Sequence, residues 1–132
     1  ENLEFSKSPI HILIGELDNW TPADACIELV NSMGDKSNIN LTIYADAHHS
    51  FDGDELIQIK QNGYILEDCR FILKADGTIL MNFLNIPMTT PILQKMGLAM
   101  CAKRGPTYGG NKKAKVQSFE FSRDFMVKHL ID

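Results

Sequence analysis

The apolar positions of the first 45 residues follow two periods. Ile10-His11-Ile12-Leu13-Ile14 is a nearly continuous apolar run closed by Gly15, the pattern of a strand covered on both faces. Thr21-Pro22 predicts an N-cap followed by proline at the first helical position. Ala23, Cys26, Val30 and Met33 then recur at helical spacing until Gly34 stops the run. Ile39 to Ala45 alternates and predicts a second strand with Leu41, Ile43 and Ala45 on one face. Strand, helix and strand joined by short connections predict a βαβ unit, with a right-handed crossover and a parallel pair. The loops after the two strands, Gly15 to Thr21 and Asp46 to Asp52, then share one edge of the sheet. In open α/β sheets that edge collects ligands and chemical groups.

Farther along, Asp54 to Gln61 reads as a short helix. Cys69 to Leu73 and Thr78 to Met81 flank Lys74-Ala75-Asp76-Gly77, a hairpin with Asp-Gly at its turn. Thr90-Pro91 caps a helix running to about Lys103, stopped by Gly105-Pro106. A last amphipathic helix spans about Asn111 to Leu130, with Ala114, Phe119, Met126 and Leu130 on its buried side. There is no internal repeat. The expectation is a single domain over residues 1–132.

Composition narrows the function classes. The chain is 44% hydrophobic and 23% charged, with a formal net charge of -4 from 17 acids and 13 bases. That balance argues against nucleic acid, whose binding needs clustered Lys and Arg. The basic stretches Lys103-Arg104 and Lys112-Lys113-Ala114-Lys115 read as solvated helix ends. The glycine-rich loop Gly105 to Gly110 follows a helix and lacks the P-loop lysine, so it does not read as a phosphate cradle. Cys26, Cys69 and Cys101 lie far apart among apolar neighbours and read as buried free thiols rather than a disulfide framework. Asn40-Leu41-Thr42 fits a glycosylation sequon inside the second strand. No apolar run has the roughly 20 residues of a membrane helix, and a cytoplasmic location is the expectation.

The candidate chemistry lies in the two loops. Asp18 follows the first strand, and His49 follows the second. A carboxylate beside an imidazole accepts its N–H, holds one tautomer and stabilises the imidazolium formed on proton transfer. The other ring nitrogen is then free to act as general base and acid.

These stretches resemble one family. Gly15-Glu16-Leu17-Asp18-Asn19-Trp20-Thr21-Pro22 is similar to the G-x-x-D-x-x-x-P stretch around the acid of the dienelactone hydrolase family. Tyr44-Ala45-Asp46-Ala47-His48-His49-Ser50-Phe51 resembles that family's stretch around its catalytic histidine. The likeness is strongest from Pro9 to Asp52 and looser through Gly63-Tyr64 to the final helix. It implies the carboxyl-terminal part of an α/β-hydrolase fold, two parallel strands with helices, plus a β-hairpin and terminal helices. It implies hydrolysis of a small-molecule ester or lactone, with Asp18 as acid and His49 as base and with no cofactor or metal. Trp20, His48 and Phe51 take pocket or supporting positions.

The resemblance stops at the nucleophile. The family's G-x-C-x-G or G-x-S-x-G elbow precedes the acid, and this sequence contains neither pattern. Only Ser6 and Ser8 precede Asp18. The expectation is the carboxyl-terminal half of a longer hydrolase, inactive alone, that associates with itself or with an amino-terminal half. Two other readings stay open. One is a non-catalytic α/β interaction domain in which Asp18 only caps the following helix. The other is a metal-binding module using Asp46, His48, His49 and Asp52.

Overall fold

The computed structural model describes residues 8–34, 38–81 and 84–130. Ser6 lies outside the described residues. The chain forms two compact units, one from the segment up to Ile59 together with that from Thr107 onward, the other from Lys60–Pro106.

In the first unit, β1 (Ile10–Gly15) and β2 (Ile39–Tyr44) pair in parallel from Ile10↔Ile39 to Gly15↔Tyr44. Helix α1 (Ala23–Met33) makes the crossover between them. The βαβ unit predicted from periodicity is present. Burial does not follow one face of β2: Ile39 and Tyr44, on opposite faces of the strand, are buried, while Ile43 and Ala45 are exposed. Among the described residues the parallel sheet has only these two strands, and every other sheet is also two-stranded. The architecture is therefore a mixture of three helices and small sheets.

Asp54 to Gln61 is not a helix. Its end forms β3 (Gln58–Ile59), antiparallel to β8 (Thr107–Tyr108). Backbone bonds made by the Thr107-to-Asn111 segment with the chain around His49, Phe51 and Glu55 replace the local helical bonds.

Helix α3 (Lys112–Leu130) begins one residue later than predicted, because Asn111 is its N-cap, with Oδ1 accepting from the Ala114 N–H at 3.0 Å. Its inner face also differs. Ala114 and Ser118 are buried, and Phe121 and Phe125 pack on His11, with the Phe121 ring 4.2 Å from the imidazole. Phe119 is 60% exposed, and Met126 and Leu130 are exposed too. Ser118 tolerates burial because its hydroxyl donates to the Lys115 carbonyl at 2.9 Å. The buried centre of this unit is Tyr44, Ala47 and Ala114, with Leu13 and Phe51 against it.

The second unit holds β4 (Tyr64–Ile65) antiparallel to β7 (Lys103–Arg104), and the hairpin β5 (Phe71–Leu73) with β6 (Ile79–Met81). The predicted hairpin forms. Its turn needs Gly77, whose φ of 83° is left-handed, and Asp76 Oδ1 accepts from the Thr78 N–H at 2.9 Å. Helix α2 (Pro91–Ala99) starts as predicted, with Thr90 Oγ1 accepting from the Leu93 N–H. It ends well before Lys103, which with Arg104 is an exposed strand rather than a helix end. Cys69 and Cys101 form a disulfide, with Cα atoms 5.0 Å apart. This corrects the expectation of free thiols. The two lie 32 residues apart, and sequence distance carries no information about a proximity that folding creates. Cys26 is the free cysteine among the described residues.

Candidate active site

Gly15 sets the geometry at the end of β1. A Cβ there would press into the Ala47 carbonyl and lie 3.0 Å from the His48 carbonyl oxygen. Only glycine lets the two loops come this close. They are then stitched together. The Glu16 N–H donates to the Tyr44 carbonyl and the Leu17 N–H to the Ala47 carbonyl, both at 2.9 Å. Glu16 Oε2 accepts from the Asp46 N–H at 3.1 Å. The histidine loop is backbone-strained at both ends. Asp46 has φ 56° and Ser50 φ 58°, conformations that non-glycine residues adopt at a cost of roughly 1–3 kcal/mol where the surroundings enforce them.

Inside this frame the Asp18 carboxylate is 7% exposed and fully engaged. Oδ1 accepts from the backbone N–H groups of Trp20 at 2.9 Å and Thr21 at 2.8 Å. Oδ2 accepts the Thr21 hydroxyl at 2.8 Å and lies 3.0 Å from His49 Nδ1. Thr21 is thus not the cap of α1. The N-cap position is Pro22, with no side-chain bond, because a hydrogen bond to a carboxylate outcompetes one to a helix amide. Asp18 does not cap α1 either. It closes a turn ahead of it.

His49 is held from several directions. Its carbonyl accepts from the Gly109 N–H at 2.9 Å, and its backbone bridges to Tyr108. The Trp20 ring centroid lies 4.8 Å from the imidazole, and Tyr108 lies edge-on to Trp20 at 6.3 Å. His48 goes elsewhere, its Nδ1–H donating to the Leu17 carbonyl at 3.1 Å, as a brace between the loops. Phe51 packs on Tyr44 at 5.1 Å and anchors the loop to the core, where burial pushes the Tyr44 phenol above its ordinary range.

Two further residues support the site. Asn111 donates through Nδ2 to the Asp46 carbonyl and through its N–H to the Phe51 carbonyl, at 2.9 and 2.8 Å, gripping both ends of the histidine loop. Asn19 Oδ1 accepts from the Thr107 N–H at 2.9 Å. An asparagine before a helix is a readable N-cap signal, but its second task depends on a loop 65 residues away.

The arrangement is an acid and an imidazole with one ring nitrogen engaged and a ring that is one-third exposed. Among the described residues, His49 has no serine or cysteine hydrogen-bonded to it, and Cys69 and Cys101 are tied up in the disulfide. Nor, among them, do three or more His, Cys, Asp or Glu side chains converge in a form suited to a metal ion.

A model of the dienelactone hydrolase family matches residues 1–67. The chain belongs to the dienelactone hydrolase family. The matched span carries β1, α1, β2 and both loops of the site. The hairpin, α2 and α3 lie beyond it, and the dienelactone hydrolase match does not extend to the Asn111 brace. No curated protein and no solved structure matches the chain. No helix among the described residues is long and apolar enough to cross a membrane.

Proposed function

We propose that the chain contributes the acid and the base of a hydrolase that cleaves esters or lactones. The observation that carries this reading is the 3.0 Å contact between Asp18 Oδ2 and His49 Nδ1, made between the loops that leave two parallel strands of a family member. Asp18 accepts the Nδ1–H, so Nε2 is left to take a proton from a serine or cysteine nucleophile and return it to the leaving oxygen. The carboxylate stabilises the imidazolium between these steps. Water cannot replace the nucleophile efficiently without donors aimed at the developing oxyanion.

The nucleophile comes from outside this chain, on an elbow whose strand continues the sheet beyond β1. In that arrangement β1 and β2 are strands of the carboxyl-terminal part of an α/β-hydrolase sheet, and residues 1–132 act as one part of it. A strand edge unpaired among the described residues and the exposed Ile43, Val116 and Phe119 favour association with a complementary half or a second copy. A light-scattering mass of one chain at micromolar concentration would argue against self-association. The disulfide favours an oxidising compartment over the cytoplasm expected from the sequence.

The test is ester hydrolysis by a protein carrying both this chain and a G-x-S-x-G or G-x-C-x-G elbow. His49→Ala is expected to lower kcat by about 10³-fold or more with KM little changed. Undiminished turnover in that variant would remove His49 from the chemistry and leave the interaction-domain reading.

A further inference from the structure

The geometry points to Thr21 as a positioning residue of the acid–base pair, a role that rests on the proposed reading of Asp18 and His49. Thr21 has a single hydroxyl proton, which it donates to Asp18 Oδ2 at 2.8 Å. An oxygen that has donated its proton presents only lone pairs to its other neighbour. That neighbour is His49 Nδ1, at 3.2 Å. The second atom facing Nδ1 is Asp18 Oδ2, a carboxylate oxygen at 3.0 Å that also accepts. Two acceptors converge on one ring nitrogen, so the neutral imidazole carries its proton on Nδ1 and keeps Nε2 bare. A base aimed outward from this pair needs that tautomer.

Thr21 is well placed to hold this arrangement. Its amide and its hydroxyl grip the same carboxylate, one oxygen each, at 2.8 Å. The Pro22 ring follows with φ -58° and restricts Thr21 to extended backbone. The hydroxyl is not engaged at the start of α1, which has no side-chain cap. It therefore serves the carboxylate and the imidazole, and without it Oδ2 loses the contact that stops it turning away from Nδ1.

The test reads the ring nitrogens of His49 directly, by long-range ¹H–¹⁵N spectra of the labelled 132-residue chain at a pH where the imidazole is neutral. The wild-type ring is expected in the Nδ1–H form. Thr21→Val should move the tautomer ratio toward Nε2–H by about fivefold, the change that loss of one net hydrogen bond produces. Thr21→Ser keeps the hydroxyl and should return the ratio to near wild type. If the valine variant unfolds, Thr21→Ala should show the same shift. A residue that only steadied the turn would lower stability without changing the ratio. Asp18→Asn separates this inference from the reading beneath it. If Asp18→Asn shifts the ratio and the Thr21 variants do not, only the role of Thr21 is overturned. If Asp18→Asn also leaves the ratio unchanged, the acid–base pair itself is wrong.

Discussion

Replacing Gly15 with alanine tests whether close approach of the two loops is what brings Asp18 and His49 together. The new methyl would press into the Ala47 carbonyl oxygen and stand 2.7 Å from its carbon and 3.0 Å from the His48 oxygen. These are backbone atoms, which have no rotamer to escape into. Restoring ordinary carbon contacts requires the histidine loop to retreat by about 1 Å. Overpacking of this kind costs about 1–3 kcal/mol. The same retreat breaks the 2.9 Å bond from the Leu17 N–H to the Ala47 carbonyl, worth about 1 kcal/mol net. Alanine recovers about 0.4–1 kcal/mol by restricting the unfolded chain. The expected destabilisation is about 1–3.5 kcal/mol, taking these terms together. Trp20, the only tryptophan, packs against His49 and reports on this region in urea unfolding. With a slope of about 2 kcal/mol/M, typical of small domains in urea, the midpoint should fall by about 0.5–2 M. A midpoint within about 0.2 M of wild type, at unchanged slope, would show that the loops do not depend on the contact.

Two more outcomes follow from the structure. The Cys69–Cys101 bridge closes a loop with a separation of 32 residues, so Cys101→Ser should destabilise Lys60–Pro106 by about 3–4 kcal/mol, and unchanged amide exchange there would refute it. Burial pushes the His11 imidazole below its ordinary 6.5, so the unfolded chain binds the proton more readily than the folded one. The stability this contributes is complete above pH 6.5 and is lost as pH falls from there through the folded-state value. His11→Gln should therefore flatten the pH dependence of the urea midpoint between about pH 7 and 5, and equal slopes in both proteins would count against the assignment.

The features legible in the sequence depend on near neighbours. The apolar run of β1, the helical spacing of α1, the Asp76-Gly77 turn and the Thr90-Pro91 start of α2 are all written within a few residues. Asp18 and His49 were nameable because each lies in the loop after a predicted strand, in a family-like stretch, and parallel pairing places such loops side by side. Local rules failed where a distant partner outbid them. Thr21 had the look of a helix cap until the Asp18 carboxylate took its hydroxyl. The inner face of α3 depended on a buried serine and on His11, so choosing its most apolar side selected Phe119, which is exposed. The helix expected after Asp54 yielded to backbone bonds with a segment some fifty residues later. The disulfide and the Asn111 grip on the histidine loop likewise join residues 32 and 65 apart. The sequence by itself determined β1, β2 and the β5–β6 hairpin with its turn, most helix starts, and the two loops that carry Asp18 and His49, because those signals are local and periodic. Only the tertiary structure decided which protons and sulfurs pair, because a hydrogen bond or a disulfide requires proximity in space, and proximity across the chain exists only after folding.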